Sequence, residues 1–237
     1  MRSERRLSFD AASVLSRAGS RYGPAAPLVD FSQILDRAEP FALIAKPCDI
    51  TAARNLGRVD PRVDRYLRYA LTLVCGGASD LRKSEEVLER FMIQPRCRIC
   101  PDAIGLGADI AAADVWPGGS PTGEDEGFNG IIVRTKRGLE LYDAAVAAGA
   151  LTIERAFTFG DFDGFQPHQV RKRRAVWARL KGRELAGKPM PLVTDLGMDE
   201  CARQNSPREN LAECRGARDR AKRGGSGEPR PVQRSDG

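Results

Sequence analysis

Short apolar runs alternate with stretches of helical period between residue 41 and about residue 187. FALIA (Phe41 to Ala45) is a continuous apolar run of strand length. DITAARNLGR after it reads as a helix opened by Pro47, whose fixed φ suits a first turn. YALTLVC (Tyr69 to Cys75) predicts a second strand, stopped by Gly76 and Gly77. SDLRKSEEVLERFMI then sets Leu81, Val87, Leu88 and Phe91 on roughly one helical face, behind Ser79 or Asp80 as N-cap. Strand, helix, strand, helix is the order of a parallel α/β unit.

Further along, ADIAAADVW and GIIVRT read as strands separated by a loop rich in Gly, Pro and acid, PGGSPTGEDEGFN. KRGLELYDAAVAAG follows as a helix closed by Gly149 at the position after the C-cap. LTIERAF offers a further strand, FQPHQVRKRRAVWARLKGRELAG a long basic helix, and GRVDPRVDR a polar helix connection. After about Asp199 few apolar residues remain among many Gly, Pro, Arg and Ser. Such a segment cannot offset its ordering entropy, so disorder is expected there. There is no internal repeat. The expected fold is α/β, a mixed, largely parallel sheet flanked by helices with a disordered C-terminal tail.

Composition narrows the function. The chain has 237 residues, 38 basic and 32 acidic, for a net charge of +6. Much of the positive charge sits in RKRRAVWARLKGR (Arg171 to Arg183), which has no acidic residue. On a helix, with Trp177 among the cations, this stretch could track a phosphate backbone, but a solvated face or a docking surface for an acidic electron-transfer partner explains it as well. Nucleic acid is therefore not the expected partner. No apolar run approaches the length of a membrane span. The basic N-terminus lacks the apolar core of a secretory signal, so the expected location is cytoplasmic. Six cysteines in a reducing compartment point to metal or redox chemistry rather than disulfides.

Four of those cysteines fall at telling places. Cys48 lies just past the first predicted strand, at the start of a helix, and Cys75 closes the second. Both belong to the carboxyl edge of one sheet, where open α/β folds bind ligands. Cys97 and Cys100, the CxxC of RCRICPD, lie on the loop after the next helix, which can return to that edge. Four thiolates suit a 4Fe-4S cluster or tetrahedral zinc; buried inert thiols and a redox-active CxxC remain as alternatives. Arg96, Arg98, Lys46 and a helix N-terminus would favour thiolate there. Cys201 and Cys214, in the polar tail, are left out. His168 is the only histidine, which excludes multi-histidine metal sites. GEDEG reads as a solvated acidic loop, and neither a Walker motif nor GxGxxG is present.

KPCDI, LVCGG, RCRICPD followed by ADIAAADVWPGG, and GFNGIIVRTKRG, in that order and with GSRYGPA upstream, resemble the C-terminal domain of the coenzyme F-420 hydrogenase/dehydrogenase beta subunit family. That family includes F-420-reducing hydrogenase subunits, 7-hydroxymethyl chlorophyll a reductase and ferredoxin-dependent divinyl chlorophyllide reductases. The resemblance covers roughly Gly19 to Leu196. It implies a domain over 19–198, between an N-terminal extension (1–18) and the tail (199–237). It also implies an iron-sulfur flavoprotein oxidoreductase, a candidate hetero-oligomer subunit, that moves electrons between a 4Fe-4S cluster, FAD and an external carrier such as ferredoxin or a deazaflavin coenzyme. Carried over by motif, Cys48, Cys75, Cys97 and Cys100 would be cluster ligands. Ser20, Arg21, Tyr22, Lys46, Asn129, Arg134 and Thr135 would contact the flavin. Three departures mark this chain: no cysteine-rich ferredoxin-like segment precedes the domain, the stretch before Arg96 is shortened, and Ala45 replaces the usual glycine. A zinc-binding non-catalytic remnant and a basic-helix nucleic-acid or protein binding module are the alternative readings.

Overall fold

The computed structural model describes residues 5–19, 25–77, 93–116, 118–120 and 127–223. The expected helix over 79–93 therefore lies almost entirely outside the described residues, as do Ser20, Arg21, Tyr22 and most of the acidic loop. Two compact units divide the chain: unit 1 takes residues up to 92 together with 102–169, and unit 2 takes 93–101 together with 170 onward.

Unit 1 is built on the apolar runs. Phe41–Ile44 forms β1, Leu67–Leu73 β2, Ile110–Val115 β3 and Phe128–Val133 β4. The sheet order is β1-β2-β3-β4; the first two pairings are parallel and β3-β4 is antiparallel. This is the expected mixed, largely parallel sheet. β2 starts two residues earlier than Tyr69, because Leu67 is buried under the helices and draws the strand's beginning inward. Helices α1 (Ala11–Leu15) and α2 (Phe31–Asp36) come before β1, and α3 (Pro47–Gly57) and α4 (Arg62–Tyr66) lie between β1 and β2. After β4 come α6 (Lys136–Ala147) and α7 (Phe159–Phe165).

Register decides which side chains share a face. Leu43 pairs with Ala70, Ala111 with Ile132 and Ala113 with Gly130, and two-residue alternation puts all of them on one side of the sheet. That side is buried. At the β1 end Leu43 and Ala70 pack with Phe31, Ile34, Leu35, Ile50, Ala53 and Val63 from α2 to α4. At the β4 end Ala111, Ala113 and Ile132 pack with Phe162 of α7 and with Phe157. LTIERAF forms no strand. Leu151 and Ile153 stay exposed while only Phe157 docks, so β4 remains the sheet edge among the described residues.

A buried carboxylate locks the start of β3. Asp109 is fully buried; its Oδ2 accepts the Ala70 N–H (2.8 Å) and its Oδ1 the Thr135 hydroxyl (2.7 Å). Arg54 and Arg137 each approach it at 3.2 Å, so the charge is compensated where solvent cannot reach it. Its own N–H donates to Ala70 O and its carbonyl accepts from Arg134 N. Thr135 also caps α6, and a Cβ on Gly138 would lie 2.5 Å from Asp109 O, so only glycine lets the helix start this close.

Unit 2 is helical: α5 (Pro95–Arg98), most of α8 (Pro167–Glu184), α9 (Met198–Arg203) and α10 (Pro207–Lys222). Val176, Leu180 and Met198 form its core with Ile99, Val193 and Leu196. The disorder expected from 199 onward does not hold as far as 222. Ser206 and Glu209 form a capping box, Pro207 occupies the first turn, and Ala202, Ala217 and Ala221 are buried. Small residues supply this packing, which a scan for large apolar side chains overlooks. Gly182 is the tightest point: a Cβ there would run into the Cys214 carbonyl and lie 3.0 Å from the Ala217 Cβ, so α8 and α10 touch backbone to backbone. No helix among the described residues is long and apolar enough to cross a membrane.

Candidate functional site

Because β1 and β2 are parallel neighbours, the segments leaving them emerge at one edge of the sheet. Ala45 N–H bonds Leu71 O and the buried Thr72 hydroxyl bonds Ala45 O (2.7 Å), so the exit of β1 is tied to β2. Lys46 takes the N-cap position of α3, Pro47 follows, and Cys48 sits exposed in the first turn, at the positive end of the helix dipole. Lys46 Nζ donates to Ala25 O (3.2 Å) and pairs with Asp49 (3.3 Å). Ala45 packs half-buried against the core, so the missing glycine is accommodated.

Cys75 is held by its backbone. Its N–H donates to Ala103 O (2.8 Å) and its carbonyl accepts from Gln169 Nε2 (3.0 Å), while Val74 N–H extends the β3 pairing to Ala112 O. Ala103 lies three residues beyond Cys100 along the chain. The turn that carries it is organised by the buried Asp102, whose carboxylate accepts the N–H groups of Ile104, Gly105 and Leu106. Gly105 is required twice over: its φ is +73°, and a Cβ would collide with Thr72 Cγ2.

In unit 2, Cys97 lies in α5 and Cys100 just past it, both half-buried. The basic helix holds this loop. Arg179 donates to Arg98 O (3.0 Å), Arg173 to Pro101 O (3.1 Å) and Leu196 O (2.6 Å), and Ile99 enters the core. Arg179 also forms a two-point pair with Glu213 (2.8 and 3.2 Å), Lys181 pairs with Glu184, and Arg183 bonds Pro189 O. Four of the seven cations of 171–183 are thus engaged inside the unit, two of them by carboxylates, which weakens the nucleic-acid reading. This role was hidden in the sequence because the acceptors are backbone carbonyls.

The other candidates separate. Asn129 is exposed and pairs with Asp114 near the end of β3, so it shares the carboxyl edge with Cys48 and Cys75. Arg134 and Thr135 leave the far end of β4, at the opposite edge. There Thr135 serves Asp109 and Arg134 Nη2 bonds Ile104 O (2.9 Å). His168 lies beside Trp116, with ring centroids 6.1 Å apart and the planes tilted by 32°. Thiolates suit a soft-metal or iron-sulfur centre; Cys48 and Cys75 belong to unit 1, Cys97 and Cys100 to unit 2. Among the described residues no three His, Cys, Asp or Glu side chains are grouped to hold a metal ion.

A comparison with curated proteins returned no match. Among solved structures, a chain of the F420-reducing [NiFe] hydrogenase complex from Methanosarcina barkeri is similar at 17% identity. The likeness covers 69% of this chain and 72% of that one, with a TM-score of 0.49. The family described as the C terminus of the coenzyme F420 hydrogenase/dehydrogenase beta subunit matches residues 38–96 and 85–157, a span that holds the whole sheet and the four candidate cysteines. Matched over more than half its length, the chain belongs to this family of C-terminal domains from coenzyme F420 hydrogenase/dehydrogenase beta subunits, and so stands with the beta subunits of oxidoreductases.

Proposed function

We propose that this chain is an iron-sulfur flavoprotein subunit that passes electrons between a 4Fe-4S cluster, FAD and an external carrier, ferredoxin or a deazaflavin coenzyme. The observation that carries the reading is the emergence of Cys48 and Cys75 from adjacent parallel strands at one sheet edge, within a matched oxidoreductase family. Cys48, Cys75, Cys97 and Cys100 hold the cluster as thiolates. Cys48 lies at the positive dipole end of α3, which suits an anionic centre. The bonds from Ala103 and Gln169 fix the backbone of Cys75, so the ligand is positioned before any metal arrives. Lys46 and Asn129, with Ser20, Arg21 and Tyr22, orient the flavin; Arg134 and Thr135 act from the far edge. A cluster with a flavin supplies the exchange between one-electron and two-electron transfer. The description of the family as a beta subunit supports a hetero-oligomer. The two matched segments share residues 85–96, where the sequence reads as shortened, which supports an internally truncated member.

Anaerobic purification with cluster reconstitution tests this reading. The expected product is a brown protein with about four irons per chain, from which Cys48→Ser removes the iron. Bound zinc without iron, or iron retained in full by Cys48→Ser, overturns it. Flavin absorbance released on denaturation tests FAD separately.

A further inference from the structure

Unit 2 gathers four arginines against one carboxylate. Arg98 comes from α5, Arg179 from α8, and Arg220 and Arg223 from the end of α10. The lone acid, Glu213, lies two turns before Arg220 on the same face of α10, and Arg179 already engages both its oxygens. The guanidinium of Arg220 folds back over Gly216, with Nη1 3.2 Å from where a Cβ would stand, and so points along α10 toward Glu213 and Arg179. Asp219, the next acid along α10, pairs with Arg218. Among the described residues the guanidinium groups of Arg98, Arg220 and Arg223 make no close ion pair and no hydrogen bond.

The cluster is costly as it stands. Burial first, then the charges of Arg98 and Arg179, push Arg220 below its ordinary pKa; Glu213 offsets only part of this, and Arg223 adds to it. The negative end of a helix dipole accounts for cations at the end of α10. It does not account for Arg98 and Arg179, which come from two other elements. A guanidinium presents five N–H donors in a planar fork that matches phosphate oxygens in pairs. The arrangement is compact, because the charges converge from three helices instead of running along one. That suits a small multivalent anion better than an extended nucleic-acid backbone.

We propose that Arg98, Arg179, Arg220 and Arg223 form a binding site for a phosphate-class oxyanion on unit 2. Except for Arg98, its residues lie outside the family match, and the site stands independently of the redox reading. The test is thermal unfolding and calorimetry of the full chain, with orthophosphate, pyrophosphate and a nucleoside diphosphate as probes at matched ionic strength. Pyrophosphate should raise the melting temperature by several degrees. Preference for the nucleoside diphosphate assigns the phosphate to a larger ligand, and equal response assigns it to the free anion. Arg220→Met should raise the melting temperature in phosphate-free buffer, by relieving repulsion, and abolish the response to pyrophosphate. Arg223→Gln, at an exposed position, should weaken pyrophosphate roughly ten-fold through the lost charge-assisted bonds. An equal shift with sodium chloride, a response retained in Arg220→Met, or tighter binding of an acidic peptide or of RNA than of pyrophosphate overturns the proposal.

Discussion

Replacing Asp109 with alanine should unfold unit 1 at much lower denaturant, and the size of the loss follows from what each partner is left with. The Ala70 N–H is buried between strands and loses its acceptor at 2.8 Å, which costs about 1–3 kcal/mol. The Thr135 hydroxyl loses a charge-assisted bond at 2.7 Å, and Arg54 and Arg137 lose their counter-charge. The arginine side chains are 25% and 44% exposed and recover solvation, so their share is the smaller. The sum is about 3–5 kcal/mol, the usual cost of breaking a buried charge network. That is a large part of the stability of about 5–15 kcal/mol expected of a domain. Asp109→Asn keeps the shape and one acceptor oxygen for Ala70 but turns an amide donor toward groups that already donate. It should lose roughly half as much. Urea unfolding followed by circular dichroism measures both variants, and hydrogen exchange should show β2 and β3 opening first. A loss under about 0.5 kcal/mol for Asp109→Ala, the range of an ordinary surface change, would refute the reasoning.

Three other outcomes are expected. Gly105→Ala should cost about 1–3 kcal/mol through its collision with Thr72, with about 1 kcal/mol more for the left-handed backbone; adding Thr72→Ser should recover the first part only, as read by thermal unfolding. Gly182→Ala improves helix propensity by about 1 kcal/mol, yet should destabilise by about 1–3 kcal/mol because the obstacle is the Cys214 backbone; a rise in melting temperature would sink the account of the α8-α10 contact. The hydroxyl and N–H of Ser206 hold the Glu209 carboxyl below its ordinary value of 4.5. The first turn of α10 is therefore supported above pH 4.5 and loses that support as pH falls through the lowered value. Protection of the amides of residues 208–211, taken relative to their intrinsic exchange rates at each pH, should fall on acidification from 4.5, and Ser206→Ala should flatten that response.

The sheet was legible because FALIA and the runs around Ala70, Ala112 and Ile132 are continuous apolar stretches bounded by Gly, Pro or polar residues. α10 was not, because its buried positions are alanines, although Ser206-Pro207-Arg208-Glu209 carried a readable start signal. LTIERAF showed the reverse error: alternation suggested a strand, but strand formation needs a neighbour to pair with, and periodicity is silent on that. The edge holding Cys48 and Cys75 followed from strand order alone. Asp109 was barely legible in the sequence. One acid opening the run GADIAAADV was the available sign, but its partners Arg54, Thr135 and Arg137 are scattered along the chain. Likewise nothing in RKRRAVWARLKGR announced that Arg173 and Arg179 would seat the CxxC loop on its own carbonyls.

Strand β4 also acts as a ruler. It runs antiparallel to β3 and carries Asn129 near one end and Arg134 just beyond the other. Five residue steps of extended chain separate their Cα atoms by about 17 Å. A planar ring system of about 10 Å placed against Asn129 would therefore stop short of Arg134. A ligand that touches both must be long and must pass around the sheet. If the proposed flavin lies at the carboxyl edge, substitutions at the two ends should fall into separate classes in a map of flavin affinity: a direct effect at Asn129, and an effect relayed through Asp109 and β3 at Thr135.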